Sequence, residues 1–402
     1  MSAGTSKNPY RPGAATPPLH LAGREAQLAR FPKLLRGAPE IPANLRLTGL
    51  RGVGKSVLLK EYEALARELD WSVVRQQVEP RHNTEEAISA LLADALRTAM
   101  QRMSRARRVR AGVSSAVEVG RRLMGVQYED ITFTVGGSRG LELDLSRNLY
   151  DVVDAALETG HEGFVLLLDE AQILRDDTAR GGEHPLSMLV AAVNALQEAG
   201  LPLALVLCGL PSLRANLQRA RTYSERMFRA ESIGELSGDP GPARDAFVEP
   251  LRGTGVEADD DLVTRVLEQV EGYPFFIQLW GAELWEAAQD SGLDRLTAAL
   301  LDVVEPDIHA RLDGEFYAGR VDTLTPSEQD LLLSTAACPY PPLRTSDLRA
   351  HTRKSQGNVN VLMGRLTDQG VLYRLEKGVY EYTAPKFHQY LQRRVLAQRR
   401  PG

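Results

Sequence analysis

Short runs of consecutive apolar residues alternate along this chain with longer stretches in which apolar residues return every three or four positions. Leu45-Arg46-Leu47-Thr48, Trp71-Ser72-Val73-Val74, Phe164-Val165-Leu166-Leu167-Leu168 and Leu203-Ala204-Leu205-Val206-Leu207-Cys208 have the length of strands. The last two lack polar alternation, as expected of strands buried on both faces of a parallel sheet. Between them, Val57, Leu58, Leu59, Tyr62, Leu65, Ala66 and Leu69 recur at helical spacing, and further helices are predicted over about Thr84 to Arg102 and Leu145 to Glu158. Strand and helix thus alternate, which predicts an α/β sheet. Ile131-Thr132-Phe133-Thr134-Val135, closed by Gly136-Gly137, predicts a small strand or hairpin, and Ile233-Gly234-Glu235-Leu236 looks like the last strand of the sheet.

From about Pro240 to Arg320 no strand signal appears. Leu262, Val266, Leu267 and Val270, then Phe276, Ile277, Leu279, Trp280 and Leu284, predict helices broken at Gly272-Tyr273-Pro274, with Pro274 in the first turn of the second. After Thr325-Pro326 the pattern changes again. Helices over Pro326 to Ala337, Thr345 to His351 and Ser355 to Gln369 precede a hairpin in which Val371 to Leu375 and Val379 to Thr383 flank Glu376-Lys377-Gly378. Three helices and a β-wing predict a winged helix-turn-helix domain. The expected layout is an irregular arm at 1–19, an α/β core at 20–236 with an insertion at about 103–144, a helical unit at 237–320 and the winged helix at 321–398.

Length and composition agree with several globular domains: 402 residues, 43% hydrophobic and 25% charged. No run approaches the ~18 apolar residues of a membrane span, and the Pro- and Gly-rich start lacks an apolar signal core, so a cytoplasmic protein is expected. Cys208 and Cys338 stand far apart, and the seven histidines are scattered, which suggests neither a disulfide nor a zinc framework. The net charge is −5, but the piece from Asp322 onward carries 12 Lys and Arg against 7 Asp and Glu. That asymmetry marks a separate unit able to meet an anion. Arg102, Arg105, Arg107, Arg108 and Arg110 form another basic cluster, read as a solvated helix end or insertion or, alternatively, as a phosphate-contacting surface.

The most specific chemistry is Gly49-Leu50-Arg51-Gly52-Val53-Gly54-Lys55-Ser56, a full match to the phosphate-binding loop G-x-x-x-x-G-K-[ST] between a strand and a helix. Glycines let the backbone amides of Gly49, Gly52, Val53 and Gly54 curl around an anion, and the helix beginning near Lys55, Ser56 and Val57 adds its positive N-terminal dipole. Lys55 would reach the β- and γ-phosphates, and the Ser56 hydroxyl would take a Mg²⁺ position. Asp169-Glu170, at the end of a five-residue apolar strand, has the Walker B pattern: Asp169 for Mg²⁺ and Glu170 to polarise the attacking water.

The strand ending in Cys208-Gly209 occupies the sensor position, whose tip usually bears a polar side chain; here either the backbone senses or sensing is weak. Arg226 and Arg229 are candidates for a finger acting on a neighbouring subunit's γ-phosphate, with local surface ion pairs as the competing role. In the C-terminal unit, Arg353, Lys354, Ser355, Asn358, Asn360 and Arg365 are candidate DNA contacts on or near the third helix, unless the domain serves protein contacts instead.

These residues together resemble an AAA+ ATPase of the origin-recognition-complex-like (AAA_16) group, close to the STAND ATPases, over about residues 8–395. The subgroup likeness rests on Gly23-Arg24-Glu25, Asp169-Glu170-Ala171-Gln172, Cys208-Gly209-Leu210-Pro211 and Gly272-Tyr273-Pro274-Phe275-Phe276-Ile277-Gln278. The resemblance implies an AAA+/ASCE-type P-loop NTPase sheet with a helical lid and a C-terminal winged helix. It further implies that Leu21 to Arg24, including Gly23, and the turn ending in Pro274 flank the adenine. Two departures, a lid without an evident second-sensor arginine and a sensor tip without Asn, Ser or Thr, argue against fast constitutive turnover. The expected activity is slow hydrolysis of ATP with Mg²⁺ in a molecular switch, with duplex DNA, a second copy or a protein as partner. A signalling or defence adaptor is the other reading. A small-molecule phosphotransferase fits less well, because Glu170 beside Asp169 suits water activation.

Overall fold

The computed structural model describes residues 7–110, 141–177, 182–220, 224–236 and 241–399. The hairpin expected at Ile131–Val135 and most of the insertion expected at 103–144 lie outside them, as do the side chains of Arg105, Arg107, Arg108 and Arg110. The chain forms two compact units, one of residues 24–49 and 55–232, the other of residues 1–23, 50–54 and 233–402. Among the described residues no helix is long and apolar enough to cross a membrane.

The first unit is a five-stranded parallel sheet. In chain order its elements are α1 (Glu25–Leu35), β1 (Leu45–Thr48), α2 (Lys55–Glu68), β2 (Trp71–Gln77), α3 (Glu85–Arg110), α4 (Leu141–Glu158), β3 (Gly163–Asp169), α5 (Pro185–Glu198), β4 (Leu203–Gly209), α6 (Ser212–Ala220), α7 (Ser224–Met227) and β5 (Arg229–Ser232). The strand order is β2-β3-β4-β1-β5, with parallel pairing throughout. Every residue of β3 and β4 is buried, as their unbroken apolar runs require of central strands covered on both faces. The core lies between those strands and α3, α4 and α5, filled by Phe164, Leu166, Leu168, Leu149, Val153 and Leu189.

The last strand differs from its expected position. It is Arg229–Ser232, paired with β1, and Ile233–Leu236 continues beyond it without strand pairing. The reason is chemical. β5 is an edge strand of pattern exposed-exposed-buried-exposed, and its one inward residue is a carboxylate, Glu231, which takes the Tyr62 hydroxyl at 3.3 Å and faces Arg30 at 3.9 Å. A polar edge strand carries no apolar signal.

The second unit holds α8 (Pro242–Val248), β6 (Glu257–Ala258), α9 (Asp260–Val270), α10 (Pro274–Asp290), β7 (Arg295–Leu296), α11 (Ala298–Arg311), a π-helical turn (Leu312–Ala318), α12 (Gly319–Asp322), α13 (Pro326–Ser334), β8 (Leu343–Arg344), α14 (Thr345–Leu348), α15 (Gln356–Asp368), β9 (Leu372–Glu376), β10 (Val379–Tyr382) and α16 (Phe387–Arg399). The β6–β7 pair is a strand pairing where none was expected; two residues are too few for any periodicity to register. One continuous core runs from Phe247, Phe276 and Trp285 through Tyr317 and Leu332 to Tyr382 and Leu391. The initial arm is built into this core. The Tyr10 hydroxyl donates to the Phe247 carbonyl at 2.6 Å, Arg11 N–H donates to Gln278 Oε1 at 3.0 Å, and Gly281 leaves room for the Tyr10 ring that a Cβ would fill.

At the C-terminal end α13, α14 and α15 are followed by the β9–β10 hairpin, to which β8 adds a third strand in the order β8-β10-β9. The second of these helices is one turn long, ending at Leu348 rather than His351. Thr325 and Glu328 form a reciprocal capping box at the start of α13, and Ser355 caps α15 by accepting from Asn358 N–H at 3.3 Å.

Candidate nucleotide site

The carboxyl edge of the sheet carries the chemistry. Register places Thr48 of β1 beside Gly209 of β4, and Leu168 of β3 beside Leu207 of β4, so Asp169 stands level with Cys208. β4 lies between, which sets β1 and β3 about 10 Å apart. Gly49 N–H donates to the Gly209 carbonyl at 3.2 Å, tying the start of the loop to the tip of β4. α2 begins at Lys55, so Ser56 and Val57 are in its first turn. Lys55 and Asp169 are both buried, and the charges of Asp169, Lys55 and Glu170 all act on the Cys208 thiol. Burial first, and then Asp169, raise that thiol well above its usual range, which makes it a neutral filler under the site and not a nucleophile.

The loop glycines have the conformations that the motif requires. Gly52 has φ +83° and Gly54 φ +89°, and nothing lies within 4 Å of where a Gly54 Cβ would be, so one side of the loop is open. Loop residues 50–54 group with the second unit. There the Gly52 carbonyl accepts Phe275 N–H at 3.2 Å, and Arg51 N–H donates to the Thr383 carbonyl at 3.0 Å. Val53 is buried.

A hydroxyl and a carboxylate, Ser56 and Asp169, are hard oxygen donors suited to Mg²⁺. Among the described residues no group of three or more His, Cys, Asp and Glu could hold a metal.

Glu170 has φ +55°, a left-handed backbone that a non-glycine residue adopts only when its surroundings impose it. Its N–H donates to Asp169 Oδ1 at 2.9 Å, and its Oε2 accepts from Gln172 Nε2 at 2.6 Å. Gln172 Oε1 in turn accepts Leu210 N–H at 3.0 Å, just beyond the sensor strand.

The remaining candidates are distributed as follows. Gly23 has φ +67° and Cβ space closed by Pro242 and Leu236, and Arg24 is buried at the start of α1. Pro274 is the first residue of α10. Arg226 and Arg229 are exposed; Arg229 opens β5 in register with Leu45, at the opposite edge of the sheet from Thr48. Among the described residues neither side chain has an ion-pair partner. Arg353, Asn358, Asn360 and Arg365 are exposed, but Lys354 pairs with Asp330 at 2.9 Å and Ser355 is spent as a cap.

Two residues escaped the sequence reading. Gln172 was visible only as part of a motif, and the signal that could have found it is the bare glycine where the sensor strand should end in a polar side chain. Arg320 lies with its guanidinium 4.4 Å over the Phe316 ring, and its pKa is pushed down to about 10, first by burial and then by the charge of Arg51.

Residues 20–218 match the family described as AAA ATPase domain. This region is an AAA+ P-loop ATPase domain. Beyond it, residues 314–391 match a domain of unknown function, DUF8462. Among curated proteins none matches the chain significantly. The whole chain is similar in structure to the Walker-type ATPase PABY2304 of Pyrococcus abyssi, with TM-score 0.55 and 19% identity over 92% of this chain and 96% of that one. It is also similar to the ORC2 protein of Aeropyrum pernix, solved in ADPNP and ADP complexes, with TM-score 0.51 and 14% identity over 95% and 96%. At these identities the likeness is one of fold, and the fold around the AAA+ domain is ORC-like.

Proposed function

We propose that this chain binds ATP with Mg²⁺ and hydrolyses it slowly, as a switch that couples nucleotide state to DNA binding or assembly through a C-terminal winged helix. The observation that carries the ATPase reading is the meeting of Lys55, Asp169 and Glu170 at one edge of the sheet, after a loop whose glycines have positive φ. The A. pernix protein of the same fold takes ADPNP and ADP. In this reading Lys55 holds the β- and γ-phosphates, the amides of Gly49, Gly52, Val53 and Gly54 and of the first turn of α2 cradle them, and Gly23, Arg24 and Pro274 flank the base. Ser56 and Asp169 hold the Mg²⁺, which neutralises phosphate charge when bound. Glu170 accepts the proton of the attacking water.

Residues 237–320 are then the lid and 321–398 the winged helix, with α15 as the helix presented to DNA. Arg353 and Arg365 supply charge, and Asn358 and Asn360 supply amide groups of the kind that read base edges. The adaptor reading is favoured by a different observation: Val361 on α15 and Leu375 on β9 are 54% and 51% exposed, apolar surface more suited to a protein than to a duplex.

The test compares Lys55→Ala with Glu170→Gln. Lys55→Ala should lose binding of a fluorescent ATP analogue. Glu170→Gln should keep binding and lose turnover by about 100-fold or more, the range of a missing general base. Equal phosphate release by wild type and Glu170→Gln would overturn the hydrolytic assignment.

A further inference from the structure

The sensor strand of this ATPase ends in glycine, and the space that a side chain would occupy there is filled from elsewhere. A Cβ built on Gly209 would overlap Gln172 Oε1 and come within 3.1 Å of Gln172 N. Gly209 is therefore bare because Gln172 lies against it. Gln172 belongs to the single 3₁₀ turn, Ala171–Ile173, that follows β3, and Glu170 is the residue that starts this turn.

The turn is clamped from a third direction. Asn216 Nδ2 on α6 donates to the Gln172 carbonyl at 2.8 Å and to the Leu174 carbonyl at 3.2 Å. With its backbone fixed, the Gln172 side chain spans two partners: its carbonyl oxygen takes Leu210 N–H at 3.0 Å, and its amide donates to Glu170 Oε2 at 2.6 Å. A primary amide suits this place because it offers an acceptor at one atom and a donor at the next; a carboxylate would face Glu170 with like charge, and a shorter side chain would not span.

We propose that Gln172 is a positioning residue for Glu170, doing from the β3 turn what a polar side chain at the tip of β4 would otherwise do. Movement of the β4 tip is passed through one amide to the carboxylate that activates water. One oxygen of Glu170 is held and the other is left for the proton. The sensor function expected to be weak or confined to the backbone is thus carried by a side chain on the turn that follows the neighbouring strand.

This inference rests on Glu170 being the hydrolytic base. Its test measures kcat, KM and nucleotide affinity for wild type, Glu170→Gln, Gln172→Ala, Gly209→Ala and the double variant Gln172→Ala/Gly209→Ala. Gln172→Ala should lower kcat by about tenfold or more with affinity for a fluorescent ATP analogue within about threefold of wild type. Gly209→Ala should do the same by displacing the Gln172 side chain, and the double variant should stay within about threefold of Gln172→Ala, because the severe overlap with Gln172 Oε1 is then gone and only the 3.1 Å approach to the residue-172 backbone N is left. A purely structural glutamine would lower the melting temperature of both single variants, leave kcat in place and let the two losses add. Wild-type kcat in Gln172→Ala, alongside an inactive Glu170→Gln, would overturn the inference and leave the ATPase reading standing. Equal turnover in wild type and Glu170→Gln would overturn both.

Discussion

The Gly272 carbonyl accepts Leu236 N–H at 2.8 Å, and Gly272 lies so close to Leu236 that a Cβ on it would overlap the Leu236 carbonyl oxygen. Gly272 also has φ +71°. The turn between α9 and α10 is therefore closed against the segment that follows the sheet, and only glycine satisfies both demands. Gly272→Ala should cost about 2–4 kcal/mol, the sum of left-handed strain and a clash with unyielding backbone. Gly253→Ala isolates the first part, since Gly253 has φ +77° with nothing within 4 Å of its Cβ position. It should cost about 1 kcal/mol. Urea unfolding of the two variants measures the difference.

The α13 cap responds to pH. Thr325 N–H donates to Glu328 Oε2 at 2.9 Å, and this bond, with help from Gln369, holds the Glu328 carboxyl below its usual range. A folded-state pKa below the unfolded one stabilises the protein above the unfolded value of about 4.3 and is lost as pH falls through the folded value. Glu328→Ala should therefore destabilise the protein by about 0.5–2 kcal/mol at pH 7. The gap to wild type should narrow as pH is lowered below about 4. Equal gaps at pH 7 and pH 3.5 would mean that Glu328 contributes without its charge and would overturn the pH dependence.

What the chain disclosed in advance divides by range. β3 was legible because five apolar residues followed by two acids form a local pattern, and the loop at Gly49–Ser56 was legible because its chemistry is contained in eight positions. β5 was not, since its buried residue is a carboxylate whose partners, Tyr62 and Arg30, come from α2 and α1. Gln172 escaped for the same reason: its acceptor atom is satisfied 38 residues downstream. Tyr10 looked like part of an irregular arm, but its hydroxyl is bound 237 residues away. Periodicity records how a residue meets its own element; these three are defined by a polar group on another.

Arg226 and Arg229 are exposed, and Arg229 stands at the edge of the sheet opposite Thr48, which leaves both free to act on another subunit's nucleotide as finger arginines. If they do, Arg226→Ala or Arg229→Ala should lower turnover by about 100-fold or more while leaving ATP affinity intact. Mixing the impaired arginine variant with Lys55→Ala should restore part of the activity, because one mixed contact then joins an intact loop to an intact arginine. Mass measurement with ATP, with ADP and with neither provides the physical check. A monomer under all three conditions, or a mixture no more active than its components, would return both arginines to surface roles.

The exposed face of α15 decides between DNA and protein as the partner of the C-terminal unit. Lys354 and Ser355 are occupied by Asp330 and by the helix cap, so among the candidate contacts at α15 the charges left for a phosphate backbone are Arg353 and Arg365. Reversing both, Arg353→Glu with Arg365→Glu, should abolish duplex binding. Removing each singly should flatten the dependence of log K on log salt by about one unit, since each phosphate contact releases about one counterion. Asn358→Ala should weaken a preferred sequence by about 1–3 kcal/mol and leave random duplex unaffected, because a base contact carries discrimination and a phosphate contact does not. Val361→Ser provides the opposite arm. Its apolar side chain has nothing to offer a phosphate backbone, so DNA affinity should survive the change. Loss of assembly in Val361→Ser with salt-independent behaviour of the arginine pair would assign this face to a protein.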